Sequence, residues 1–338
     1  MIPGTPIPPA ARHLSALAAA WPGIFVLLAC CAAPPKAVLS TRPGEILVRA
    51  RRALDAGKLD QADLLLRSLK KRKLPPKEEE TYLFLQARLH YRRGEPWLSF
   101  LKLETLSSRF PVTAYAPQVA WMEYQIGKYL LHAHGGFLGI FPQRSYGIRV
   151  LKHLAINWPH QTEPGNPKNV LADDAQALLG QDLWDREDWP GVVDRYSQLV
   201  QDYPDSEWAP LAYYRIAMAW FYQVEGPRYD LGIMKKAERE LSLFVRREGG
   251  SPRQKETARK ALARLREWMG DRAYRTAHYY MTVGSPVGAW LYLQELVDQY
   301  PGTRAAKKGA RELPLWKKRA ERWKAAHPFE KIEEGGRP

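Results

Sequence analysis

Cysteine is close to absent: the 338 residues contain two, side by side at Cys30 and Cys31. Adjacent thiols cannot tie distant parts of a chain together, so a disulfide framework and a cysteine-based zinc site are both excluded. Long apolar runs are missing too. The longest runs from Leu14 to Leu28, shorter than the ~20 residues of a bilayer-spanning helix and suited to the core of a secretory signal. No stretch alternates with a two-residue period beyond a few positions, which argues against a fold built on sheets. Negative charge is scarce: 36 Asp and Glu stand against 51 Lys and Arg, a formal charge of +15. Such a surface attracts anions, whether phospholipid headgroups, nucleic acid or acidic protein faces.

Motifs that carry chemistry are also lacking. The chain has no Walker glycine loop, dinucleotide fingerprint, G-x-S-x-G or H-E-x-x-H. His132 and His134 are two apart, so on a helix they point about 200° from one another and cannot share a metal as an i, i+4 pair does. In a loop beside Gly135 and Gly136 they could. Glu78, Glu79 and Glu80 follow Pro75 and Pro76 and read as the first turn of a helix, where the positive helix end favours them. No catalytic set, no cofactor and no metal site is expected. The densest basic run, RSLKKRKLPPK, gathers Arg67, Lys70, Lys71, Arg72, Lys73 and Lys77 around a double proline that should end a helix. It reads as a solvated helix end, with a phosphate or lipid contact as the alternative. The 12 Trp and 17 Tyr suit helix pairs packed in layers and are expected in the core rather than on a binding surface.

What is present begins with the N-terminus. A cationic start at Arg12, the apolar stretch and Ala29 lead directly into Cys30. Leu27-Leu28-Ala29-Cys30 resembles the bacterial lipobox, in which a peptidase cuts before a cysteine whose thiol then takes a diacylglycerol through a thioether. The resemblance implies a lipid (palmitate) anchor on Cys30; an uncleaved anchor and an ordinary cleaved signal are the alternatives. The residue after Cys30 is not Asp, so the usual inner-membrane retention signal is missing and the outer membrane is favoured. CAAPPKAVLSTRPGE has no helical period and reads as a tether.

Beyond the tether a pattern of turns recurs. Pro111, Pro159, Pro204 and Pro301 each stand just past a segment of helical character, and Gly94 to Pro111 and Gly284 to Pro301 are both 17 apart. Tetratricopeptide units place a small residue at the turn between two helices, another five further on where the helices cross, and a proline at the end. Six units fit, with turn glycines Gly57, Gly94 and Gly284 and crossing residues Ala62, Ser99, Gly147, Val192, Ala237 and Ala289. Glu187, Asp188 and Trp189 occupy the turn of the fourth unit. Crossing positions lie 37, 48, 45, 45 and 52 apart, so several units carry longer helices or inserted loops, among them HAHGGFLGIFPQRS and HQTEPGNPKN. Ser206 is expected as an N-cap for SEWAPLAYYRIAMAWFYQ. The fold expected is all-α: tetratricopeptide-like helical hairpins stacked into an elongated superhelix of about six units. The domain plan is a signal peptide over 1–29, a tether over 30–43, the repeat domain over 44–325 and a disordered tail over 326–338.

The lipobox, DAGKLDQADLLLRSL, DYPDSEWAPLAYYRIAMAWFYQ and ALARLREWMGDRAYRTAHYYMTVGSPVGAWLYLQELVDQYPGT stand in an order that resembles the BamD-like lipoproteins, the tetratricopeptide component of the outer-membrane β-barrel assembly machinery. The resemblance implies binding without chemistry, on the cell outer membrane and facing the periplasm. Its implied partners are a β-barrel assembly subunit, docked by about residues 205 to 325, and unfolded outer-membrane protein clients, recognised by about residues 44 to 130. The chain departs from that pattern in fitting six repeats where five are usual and in its basic balance. The alternatives are a lipoprotein scaffold for peptidoglycan or division proteins and a peptidoglycan-cleaving enzyme on a helical superhelix. A nucleic-acid partner, suggested by charge alone, conflicts with export.

Overall fold

A computed structural model describes residues 42–132 and 143–327. The signal segment, Cys30, most of the tether, His134, the core of the HAHGGFLGIFPQRS insertion and the last eleven residues lie outside the described part.

Thirteen helices make up the described chain, and twelve of them pair as successive hairpins. These are α1 (Pro43–Asp55) with α2 (Leu59–Leu69), α3 (Pro76–Arg92) with α4 (Pro96–Arg109), and α5 (Ala116–His132) with α6 (Gln143–Asn157). Then come α7 (Leu171–Asp185) with α8 (Trp189–Asp202), α9 (Ala209–Tyr222) with α10 (Leu231–Arg246), and α11 (Pro252–Thr282) with α12 (Pro286–Gln299). A last helix, α13 (Arg304–Ala326), packs on α11 and α12. The protein is all-α, built of helical repeats. It divides into two compact units between Leu178 and Leu179, within α7.

Four of the hairpin turns are built alike. The residue two past the first helix has positive φ: Gly57 at 73°, Gly94 at 72°, Gly284 at 75° and, without glycine, Glu187 at 59°. The amide that follows reaches back five residues, Lys58 to the Ala53 carbonyl at 2.8 Å, Glu95 to His90 at 3.0 Å, Asp188 to Leu183 at 3.0 Å and Ser285 to Tyr280 at 2.9 Å. This is the left-handed helix stop that satisfies the last carbonyls and reverses the chain. Asp188 also caps α8 by accepting the Gly191 amide at 3.1 Å.

Where the two helices of a hairpin cross, the second helix places a buried residue. Ala62, Ser99, Val192, Ala237 and Ala289 are 0% exposed, and Gly147 is buried. Ser99 Oγ donates to the Ala87 carbonyl of the facing helix at 2.9 Å. A Cβ on Gly147 would come within 2.5 Å of the Leu131 amide nitrogen and 2.9 Å of the Gly127 carbonyl, so α5 and α6 touch backbone to backbone. The first helix answers with its own small buried residues: Ala50, Ala87, Gly127, Gly180, Ala217 and Ala277. Pairing them in order gives a separation of 12 in four hairpins and 20 in the third and fifth. Those two hairpins therefore carry eight more residues between their crossing positions, divided between helix ends and connection.

Each unit has its own core. In the first, α3 packs on α1 and α2, and α4 on α5 and α6, around Leu54, Leu66, Leu85, Phe100, Leu103, Ile126 and Leu151, all at most 1% exposed. In the second, Met218, Met234, Leu241, Leu265, Leu293 and Leu296 form one continuous cluster. Fully burying side chains of this size is worth about 1.5 to 3 kcal/mol each against leaving them in water.

Three sequence expectations are corrected. HQTEPGNPKN is not an open loop: β1 (Thr162–Glu163) and β2 (Asn166–Val170) form a two-stranded antiparallel ribbon turned at Pro164-Gly165, with Gly165 at φ 88°. The double proline opens a helix rather than closing one. Pro75 is the N-cap of α3 and Pro76 its first residue, a position where the missing amide costs nothing. Ser206 does not cap α9 directly; its Oγ accepts the Trp208 amide at 3.1 Å in the turn leading into the helix. The aromatics lie largely in and against the core: among the described residues Trp158, Tyr91, Tyr196 and Tyr300 are buried, others such as Trp184, Tyr214, Trp220 and Trp268 pack partly buried against it, and Tyr129, Tyr222 and Tyr279 are exposed.

Two glycines separate the two kinds of constraint. A Cβ at Gly284 meets nothing within 4 Å, so Gly284→Ala is charged only with its backbone angle and should destabilise by about 1 kcal/mol. Gly147→Ala forces backbone against backbone and should cost about 3 kcal/mol. Denaturant melts of the two variants measure this, and equal losses would contradict the close approach of α5 and α6.

Candidate docking surfaces

The turn and crossing residues are dispersed one or two to a hairpin, and they position helices without presenting a common surface. The exposed features of the hairpins are what remain to meet other molecules. In the first unit a groove of about 320 Å³ is lined by Leu47, Val48 and Arg51 of α1, Lys77, Glu78 and Thr81 of α3, and Tyr115. The Tyr115 hydroxyl accepts from Arg51 Nη2 at 2.8 Å and lies 3.0 Å from Thr81 Oγ1. Its ring stacks on Phe84 with centroids 4.1 Å apart. Val48 is 51% exposed beside these polar groups.

In the second unit a larger groove of about 470 Å³ is lined by Pro227, Arg228, Arg272, Arg275, Thr276 and Tyr279. One wall is the enlarged turn between α9 and α10; the other is α11. Two arginines hold the wall in place. Arg272 Nη1 donates to the Tyr229 carbonyl at 3.1 Å and Arg275 Nη2 to the Pro227 carbonyl at 3.0 Å. Each guanidinium has further donors, and among the described residues no carboxylate comes within ion-pair distance of these two or of Arg228. Tyr279, expected in the core, is 62% exposed at the groove edge, while its neighbour Tyr280 stacks on Tyr292 at 4.9 Å. The spacing of Arg272, Arg275, Thr276 and Tyr279 places them on one helical face, a signal present in DRAYRTAHYY that a search for catalytic motifs passes over.

The first unit also buries an acid–base pair that sequence reasoning missed. Glu123 of α5 is 0% exposed, and its Oε2 lies 3.0 Å from His153 Nδ1 of α6. His153 Nε2 is 3.3 Å from Ser107 Oγ, and Phe100 meets its ring edge-on at 5.3 Å. The Trp158 indole stands near the carboxylate but outside hydrogen-bond reach. Burial pushes the Glu123 carboxyl up, against the His153 hydrogen bond and charge. For His153 burial acts downward, but the Glu123 hydrogen bond and charge, with Glu104 beyond, hold it above its ordinary value. The pair is a locked contact between two helices, enclosed by packing.

Among the described residues no group of three or more His, Cys, Asp or Glu is placed to hold a metal ion. His132 is exposed and its Nδ1 faces the Lys128 carbonyl at 2.9 Å. Glu78 and Glu79 lie in the first turn of α3, Glu79 pairs with Arg109, and Glu80 accepts from Thr113.

Comparison with known families gives one finding. Residues 184–318 match the family model YfiO, described as outer membrane lipoprotein. The match takes in α8 to α12 and the first part of α13, and it supports the BamD-like resemblance over that part of the chain. The chain matches no curated protein.

The buried pair has a pH signature. Both groups keep their protons to higher pH in the folded chain than in the unfolded one, so above the ordinary histidine value of about 6.5 the folded state binds more protons and stability falls as pH rises. The melting temperature should therefore drop between about pH 6 and pH 8, and the drop should flatten in His153→Gln. A slope unchanged by the substitution would place the titration elsewhere.

Proposed function

We propose that this chain is a lipid-anchored scaffold of the outer membrane, facing the periplasm, that binds partner proteins during assembly and insertion of β-barrel proteins. The observation that carries the reading is the outer-membrane lipoprotein family match across α8 to α13. The helical repeats support it, because hairpins of this kind present helix faces and grooves for extended peptides or partner domains. The lipobox at Cys30 supplies the anchor. The arginine-lined groove beside α11 lies within the matched segment and is the place for docking an acidic or carbonyl-rich partner surface. The Arg51–Tyr115 groove lies in the part assigned by resemblance to client recognition. The protein works by holding partners; it has no catalytic step of its own.

Affinity purification of the full chain from solubilised envelopes tests this. A β-barrel protein with periplasmic repeat domains should be recovered, and Arg228→Glu should lower that recovery by about tenfold through reversed charge at the groove. Cys30→Ser should abolish lipid labelling in the same cells. Recovery of peptidoglycan or division proteins alone would assign the scaffold to a different assembly.

A further inference from the structure

Helix α13 carries the strongest charge asymmetry in the described chain. Arg304, Lys307, Lys308, Arg311, Lys318, Arg319 and Arg322 are all exposed, and at 3.6 residues per turn they fall within an arc of about 120°. Among the described residues none of the seven lies within ion-pair distance of a carboxylate. The two acids of the helix sit outside the arc: Glu312 at its border, held by the Tyr274 hydroxyl at 3.0 and 3.1 Å, and Glu321 on the far flank. At the centre of the cationic arc stands Leu315, 52% exposed.

The opposite face is fixed. Ala305, Ala306, Gly309 and Ala320 are buried, and a Cβ on Gly309 would meet Leu296 of α12 at 2.8 Å. Thr303 caps the first turn by accepting the Ala306 amide at 3.1 Å. The helix therefore cannot roll, and its cations keep to one side over about 27 Å of its length, spanning Pro314 in the helix interior; two of them also rest on rings of the protein, Lys308 over Tyr274 and Arg319 over Trp316, each at 4.7 Å. A row of exposed cations around one exposed apolar side chain matches a plane of negative charge.

We propose that this face of α13 lies on anionic phospholipid headgroups, giving the protein a second membrane contact besides its N-terminal anchor, with Leu315 entering the interfacial layer. Each Lys or Arg at such a surface adds to the attraction, and seven acting together make a firm, salt-sensitive contact. The inference rests on the outer-membrane location proposed above.

The test uses the full chain carrying Cys30→Ser, Cys31→Ser and Leu315→Cys, labelled at position 315 with an environment-sensitive fluorophore. Phosphatidylglycerol–phosphatidylcholine vesicles should shift its emission to the blue, pure phosphatidylcholine vesicles should not, and about 0.5 M salt should reverse the shift. Replacing Lys307, Arg311, Lys318 and Arg322 by Gln should weaken vesicle affinity by about 100-fold or more, with the melting curve unchanged because all four side chains are exposed. An equal shift in both kinds of vesicle, or no loss in the fourfold variant, would overturn the proposal. So would a shift with polyglutamate or duplex DNA and none with vesicles. The vesicles contain no protein, so failure here leaves the scaffold reading standing, and loss of partner recovery leaves this one standing.

Discussion

Everything in this structure depends on two helices being able to approach until their backbones nearly touch. Interhelical distance is set by the side chains at the crossing, and here both sides of the crossing are small. Ser99 shows the contact at its most direct, with a hydroxyl bonded to the Ala87 carbonyl. Gly147 shows its limit, since α5 leaves no room for a methyl group. Close approach brings the larger residues on either side, such as Leu103 and Leu151, into full burial. The stabilisation comes from that apolar area; the small residues make it reachable.

The turns follow from the same requirement. In four hairpins the chain reverses within three residues, and the left-handed stop does so while satisfying the last carbonyls. Glu187 adopts this conformation without glycine, so the geometry of the hairpin prevails over the local preference of the residue, and the Asp188 cap that follows supports it. In the third and fifth hairpins eight additional residues separate the crossing positions, and in the fifth the connection lengthens to residues 223–230. In the fifth they become a wall of the arginine-lined groove, held by Arg272 and Arg275. An addition that is neutral for the crossing is thus free to shape a surface. Ion pairs such as Arg88–Asp55 and Arg266–Glu238 link neighbouring helices, but they are exposed on at least one side and contribute little beside the apolar contacts.

This explains how much could be read from the sequence. Small residues at a fixed distance from a glycine turn and a closing proline are a local pattern, visible in Gly94, Ser99 and Pro111 without any tertiary knowledge. The ribbon at Thr162–Val170 is hidden in the sequence because the residues around Pro164-Gly165 read equally well as a loop, and the Asn169 contact to Asp174 exists only once α7 is in place. Tyr279 reads as core by its size, yet ring size does not say which face of a helix meets a neighbour. The Glu123–His153 pair joins residues thirty apart, and nothing around either marks a partner. Arg228, Arg272 and Arg275 come together only when the enlarged turn folds onto α11. Scaffold positions were legible because they are local; grooves were not, because they are made between elements.

Since each helix packs on its near neighbours, disturbance of one crossing should stay close to it. Amide hydrogen exchange of Ala289→Leu measures this most directly, because Ala289 is 0% exposed at the α11–α12 crossing. The crossing account predicts that protection falls in α11, α12 and α13, while α8 keeps the protection it has in the unaltered protein. Unchanged protection throughout, or a uniform loss from α8 to α13, would contradict the claim that close helix crossings hold this fold together one hairpin at a time.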